Sequence, residues 1–218
     1  QLGSSGLKIA PLVFGGNVFG WTIDEKKSFS LLDAFWAAGF NCVDTADSYS
    51  RWVPGNKGGE SETIIGKWMK QKGNREKVII STKVGSDMGQ GHKDVSKKYI
   101  LKAVEDSLLR LQTDYIDLYQ THCDNENTPV EETLEAYGEL VKQGKLLFLQ
   151  VKNTITRPTK HYSPNTIYTT AKNLKKIICQ SAKRTTSASL ITIRWHQGFF
   201  QANTAVRPIW AKAAGEVG

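Results

Sequence analysis

Lys77-Val-Ile-Ile-Ser-Thr-Lys83 and Tyr115-Ile-Asp-Leu-Tyr-Gln-Thr-His122 are two apolar runs of strand length, each closing on a cation or an imidazole. Between them Asp94 or Ser96 can open a helix to about Leu111, in which Ile100, Val104, Leu108 and Leu111 share one face. Strand, helix and strand at this spacing form a βαβ unit, which requires a parallel pairing. The same alternation continues outward in both directions. Toward the N-terminus, a helix from Ser61 to Lys72 carries Ile64, Ile65 and Trp68 on one side, and a polar, glycine-rich loop from Ser50 to Gly59 precedes it. Before that lie a strand from Phe40 to Asp44, a helix capped by Asp24 and running to about Ala38, and a first strand from Pro11 to Gly15. Toward the C-terminus, Thr128-Pro129 opens a helix from Val130 to Gln143, Gly144 ends it, and Leu146 to Val151 starts a fifth strand. No Gly-x-Gly-x-x-Gly turn follows the first strand, so the expectation is an α/β fold of the (β/α)8 TIM-barrel type rather than a doubly wound sheet. Four to five units are recognisable, so the barrel is incomplete in this chain.

Composition bounds the function. The 218 residues can bury a core, and 39% hydrophobic with 23% charged residues describes a soluble globular protein. No window approaches the roughly 18 apolar residues of a membrane span and no signal-peptide plan is present, so a cytoplasmic location without membrane association is expected. Cys42, Cys123 and Cys179 are neither paired in spacing nor even in number, which argues against a disulfide framework and against a metal site. The net charge of +8 is unevenly placed. From residue 146 onward there are eleven Lys/Arg against one acid, Glu216, while residues 1–145 carry a small negative excess. A basic tail invites a nucleic-acid reading, which is set aside below.

The strand ends carry the candidate chemistry. Strands two, three and four close on Asp44, Lys83 and His122, and Tyr49 follows Asp44 by five residues. In a parallel barrel those ends converge at one mouth, where such folds keep their active sites. A phenol, with a pKa of about 10, is a poor acid near neutrality unless a neighbouring charge lowers that value. An ammonium at Lys83, held by Asp44, is expected to do this, with His122 hydrogen-bonding the oxygen that receives the proton. A lone lysine after a strand is ordinarily solvated and a lone histidine is ordinarily a core residue. Four such groups at successive strand ends are the equipment for protonating a carbonyl as hydride arrives.

Asp44-Thr-Ala-Asp-Ser-Tyr49, Gly59-Glu-Ser-Glu62, Ile80-Ser-Thr-Lys83 and Leu111-Gln-Thr-Asp-Tyr-Ile-Asp-Leu-Tyr-Gln-Thr-His122 closely resemble the aldo-keto reductases, especially the bacterial branch similar to the potassium-channel β-subunit-like reductases. The likeness runs from about residue 2 to residue 145. It implies NADPH-dependent reduction of small aldehydes or ketones on a (β/α)8 barrel. It also implies that Tyr49 is the proton donor, that Lys83 and Asp44 are its partners, and that His122 faces the substrate. Asn17 to Trp21 matches the family's first loop, so Asn17 and Trp21 are expected to border the substrate pocket.

Beyond Lys145 the resemblance ends. Acids vanish, Thr and Lys accumulate, and helical or strand patterning fades. If the reading frame shifted near here, each intended codon begins on the third base of the present one, and only one base per codon is free. Under that rule Asn165 to Lys172 restores to QYNLYDRK, residues 186 to 191 to LGVIN, and Arg194 onward to SLASGFFSGKYRSEADLGKS. These match, in order, segments the family expects. The chain therefore divides into an N-terminal part of the barrel, residues 1–149, and an anomalous basic segment, residues 150–218, that is an out-of-frame translation. Its basicity is then an accident of codons rather than a nucleic-acid site. The resemblance places the NADPH contacts mainly in the second half, and none can be carried to a position here. NADPH binding is therefore expected to be impaired, and the alternative reading is an inactive half-barrel that binds no cofactor.

Overall fold

Five parallel strands lie side by side in chain order, each followed across the first four crossovers by a helix that packs on one face. The computed structural model describes residues 7–153 and 165–170, with 151–153 and 165–170 as backbone only. The strands are β1 (Val13–Gly15), β2 (Cys42–Asp44), β3 (Ile79–Val84), β4 (Ile116–Thr121) and β5 (Leu146–Asn153). Their sequential order, with no reversal among them, is that of an incomplete (β/α)8 barrel. A sixth strand, β6 (Asn165–Thr170), pairs with β5 in the antiparallel sense, Phe148 opposite Thr170 and Asn153 opposite Asn165. A parallel barrel does not continue in that direction.

The helices begin and end where local chemistry requires. The Asp24 carboxylate accepts from the Lys27 amide at 2.8 Å and starts α1 (Glu25–Ala37). The Ser96 hydroxyl accepts from the Tyr99 amide and starts α3 (Lys97–Leu111). For α2 (Glu60–Lys72) the first residue after Gly59 is acidic and the last turn basic, which complements the helix dipole, and Gly73 closes it in the left-handed region. The helix α4 (Val130–Lys142) follows Pro129, and the chain turns at Gly144 with φ of 76°. Several strand limits differ from expectation, and β2 starts at Cys42 rather than Phe40. Residues Arg75–Lys77 close a 3-10 turn, so β3 starts at Ile79 rather than Lys77 and runs one residue past Lys83. In addition, β1 covers only the last three of its expected five residues.

The faces foreseen from periodicity in α2 and α3 are buried, and the inward residues of α1 and α4 join them. Leu32 and Phe35 of α1, Ile65 and Trp68 of α2, Ile100 and Leu111 of α3, and Leu134 and Leu140 of α4 form one core with Val43, Ile80, Ile116 and Leu149 of the sheet. The buried indole of Trp68 donates to Asp33 Oδ1 at 2.8 Å, which satisfies its single polar atom. At the N-terminal ends of the strands, Arg75 stacks on the Tyr115 ring and pairs with Asp117, whose carboxylate also accepts from the Ile80 amide. That end is built for cohesion. The other end carries the candidate site.

Candidate active site

Asp44 is the last residue of β2, Lys83 the penultimate residue of β3, and His122 the first residue after β4. The pairing of β2 with β3 sets Asp44 opposite Ser81, and Lys83 reaches back across it. The Lys83 ammonium donates to Asp44 Oδ2 at 2.6 Å, to the Thr45 carbonyl at 2.7 Å and to the Tyr49 hydroxyl at 2.9 Å. An ammonium has three donors, and all three are used on this one corner. Tyr49 Oη lies 3.4 Å from the same Asp44 oxygen, and the Lys83 charge sits 4.7 Å from the centre of its ring. The His122 ring meets the Tyr49 ring edge-on, with centroids 6.0 Å apart. All four groups expected from the strand ends therefore converge.

The expected acidity of Tyr49 is corrected in sign. Burial raises its pKa above the ordinary phenol value; Lys83 pulls it down and Asp44 pushes it up again. Desolvation of a phenolate outweighs the nearby ammonium because that ammonium is already shared with a carboxylate. Tyr49 therefore holds its proton at neutral pH.

A second polar layer underlies the corner. Ser81 Oγ bridges Asp44 Oδ1 at 3.0 Å and Gln120 Oε1 at 2.8 Å, and the Gln120 amide continues to Gln150. Behind the sheet, Glu62 is fully buried; it accepts from Arg110 Nε at 2.7 Å and from Thr82 Oγ1 at 2.5 Å. Asp47 is buried beside that pair, its backbone N–H on the Lys83 carbonyl at 3.2 Å, and neither carboxylate oxygen has a well-aligned donor. Burial and Glu62 push its pKa up to about 8 against the pull of Arg110. Sequence reasoning quoted Asp47 and Glu62 within motifs but gave neither a role.

The loops place Asn17 and Trp21 differently. Ser50 Oγ donates to the Phe19 carbonyl at 2.6 Å, and Asn56 Nδ2 donates to the carbonyls of Gly20 and Ser50, tying the first loop to the one after β2. Trp21 is half exposed and meets Trp52 edge-on at 5.5 Å; Trp52 in turn lies 6.3 Å from the Tyr49 ring. Trp21 thus approaches the site through Trp52, a residue missed from sequence, whose only signal was an indole in an otherwise polar loop. Asn17 is exposed within the 3-10 turn after β1. Ser86 was also missed; its hydroxyl lies 3.1 Å from His122 Nδ1.

Among the described residues no group of three or more His, Cys, Asp or Glu side chains could hold a metal ion, and no helix is long and apolar enough to cross a membrane. The three arginines among the described residues are all engaged elsewhere, which bears on the NADPH implied by resemblance. A dinucleotide's phosphates need cations or a nest of N–H groups. Here Arg110 is committed to Glu62, Arg75 to Asp117 at the opposite end, and Arg51 faces Asp87.

Comparison with known proteins bears on the family and the fold. The model of the Aldo/keto reductase family matches residues 11–196, past the point near Lys145 where the residue-by-residue likeness stops. An uncharacterized 11.2 kDa protein of Pseudescherichia vulneris is 67% identical over 89 residues, covering 40% of this chain and 86% of that protein. The uncharacterized oxidoreductase YrpG of Bacillus subtilis is 40% identical over 159 residues, 70% of this chain and 48% of its own length. Norsolorinic acid reductase of Aspergillus flavus is 37% identical over 166 residues, 69% of this chain and 41% of its own. The holo form of aldo-keto reductase AKR11C1 from Bacillus halodurans superposes with a TM-score of 0.60 at 40% identity, over 71% of this chain and 49% of that one. The chain thus spans less than half the length of the named reductases it matches. The family match, the relatives and the shared fold agree, and the chain belongs to the aldo/keto reductase family.

Proposed function

We propose that the groups at the strand ends are the proton-delivering side of an NADPH-dependent reductase that converts small aldehydes or ketones to alcohols. The observation that carries this reading is Lys83, held 2.6 Å from Asp44 and 2.9 Å from the Tyr49 hydroxyl. Burial keeps Tyr49 protonated until the carbonyl oxygen gains charge. The phenolate left after transfer is then met by an ammonium already in place, whose preorganisation costs nothing at the moment of reaction. His122 hydrogen-bonds the same oxygen and fixes the carbonyl beside Tyr49, and Asp44 anchors Lys83. In the family a reduced nicotinamide supplies the hydride.

A second reading concerns this chain in particular. Residues 1–149 are the N-terminal part of the barrel, and residues 150–218 are an out-of-frame translation that replaces the residues meant to hold NADPH, so the chain itself is an inactive half-barrel. One observation favours it: β6 runs antiparallel to β5, where a parallel barrel would continue in the parallel sense. The out-of-frame segment lies almost wholly outside the described residues. The absence of a membrane-spanning helix among the described residues is compatible with a cytoplasmic protein.

One experiment separates the readings. The nucleotide sequence around codons 140 to 165 is expected to show a one-base insertion or deletion relative to an open downstream frame. The frame-restored chain is then expected to oxidise NADPH in the presence of an aldehyde, and Tyr49→Phe to lower kcat by about 10²–10⁴. An intact frame sinks the truncation reading, and full activity of Tyr49→Phe sinks the assignment of the acid.

A further inference from the structure

We propose that Ser86 is a positioning residue that fixes the tautomer of His122, with Cys123 behind it, so that the ring proton sits on Nε2 for a substrate carbonyl. The inference rests on His122 being the substrate-facing group of a carbonyl reductase. A neutral imidazole has one N–H and one lone pair, and which nitrogen holds the proton is set by the partner of the other. A carbonyl oxygen only accepts, so the nitrogen serving it must be protonated and the remaining nitrogen needs a donor.

The structure supplies that donor. Ser86 Oγ lies 3.1 Å from His122 Nδ1 and 3.7 Å from Cys123 Sγ. Two hydrogen-bond directions are open. In one, the thiol donates to Ser86 Oγ and the hydroxyl donates to Nδ1. In the other, Nδ1–H donates to the hydroxyl, whose proton is left to the sulfur. The first matches the stronger donor with the ring nitrogen, a far better acceptor than a thiol sulfur, and therefore prevails. It leaves the proton on Nε2.

The backbone is shaped to make this contact. Gly85 follows β3 with φ of +105°, and a Cβ there would lie 2.7 Å from the Cys123 carbonyl oxygen and 2.8 Å from Val95 Cγ1. Only glycine lets the chain leaving β3 cross this close to the chain leaving β4. The His122 amide donates to the Val84 carbonyl at 2.8 Å, and Gln90 Nε2 donates to the Ser86 carbonyl at 3.3 Å, so both partners are held from behind.

The test reads the ring directly and needs neither NADPH nor turnover, so it can fail while the assignment of Tyr49 stands. In the full chain labelled with 15N-histidine, the His122 signals are identified by their loss in His122→Gln. Spectra are taken at about pH 8, above the ordinary imidazole range. The expected pattern is a protonated Nε2 with an unprotonated Nδ1. Ser86→Ala is expected to convert this single tautomer to a mixture, and Ser86→Thr, which keeps the hydroxyl, to retain it. A protonated Nδ1 in the parent chain overturns the proposal, as does an unchanged spectrum in Ser86→Ala. The parent spectrum decides alone if Ser86→Ala fails to fold.

Discussion

Asp47 is 2% exposed, lacks a well-aligned hydrogen bond on either oxygen, and has its pKa pushed up to about 8 by burial. The charged and titratable groups facing it are Glu62 on α2, Arg110 and Tyr99 on α3, Tyr119 on β4 and Tyr137 on α4. A carboxyl whose folded pKa exceeds its unfolded value binds its proton more tightly in the folded state. Its destabilising ionisation is absent below about pH 4, where both states are protonated, and accumulates as pH rises toward 8. Asp47→Asn keeps the shape and cannot ionise. Thermal melts between pH 5 and pH 8 are expected to show the variant gaining on the parent by a few kcal/mol; parallel pH profiles would show that Asp47 is already ionised in the fold. At this scale the sequence singled out Asp44, Tyr49, Lys83 and His122, because a charge or titrating group at the end of an apolar run stands out locally. It did not disclose Ser86 or the grouping of Asp47 with Glu62 and Arg110. The last two lie 48 residues apart in the chain and meet only once α2 and α3 have packed. The misjudged acidity of Tyr49 has a related cause, since proximity to Lys83 was legible and the degree of burial was not.

Helices were more legible than strands. The Asp24 and Ser96 caps and the apolar faces of α2 and α3 follow from patterns within a few turns. Strand limits depend on partners instead, so β1 shrank to three residues and a 3-10 turn displaced the start of β3. Nothing in the sequence pattern marked how closely α2 and α3 approach. At Gly66, inside α2, an added Cβ would lie 2.3 Å from the Arg110 carbonyl oxygen and 2.8 Å from Leu111 Cα. These are backbone atoms of α3 and cannot swing away. Two effects oppose one another in Gly66→Ala. Helix propensity favours alanine by about 1 kcal/mol, while forcing two packed helices apart costs about 1–3 kcal/mol or more. The contact distance decides for the clash. Urea denaturation is expected to show a net loss of stability, and a neutral or stabilised Gly66→Ala would mean that the helices are not in backbone contact at this point.

For the whole molecule, what matters is how proton and hydride are divided along the chain. The described sheet has β1 at one edge and an antiparallel β6 at the other, so among the described residues the barrel does not close. The corner proposed to deliver the proton lies within residues 44–122 because β2, β3 and β4 are consecutive, and consecutive parallel strands bring their ends together without help from the far side of a barrel. A dinucleotide laid across the mouth would have to draw on the remaining strands. The frame reading holds that residues 150–218 no longer encode those contacts. Mass action sets the size of the signal: at 100 times its Kd a ligand stabilises the fold by about 2.7 kcal/mol, worth roughly 5–10 °C in melting temperature for a domain of this size. With 1 mM NADPH the present chain is expected to show neither such a shift nor saturable nucleotide fluorescence, whereas the frame-restored chain shows both. Micromolar binding by the present chain would mean that residues 150–218 hold the dinucleotide as they stand, and the out-of-frame reading would fall.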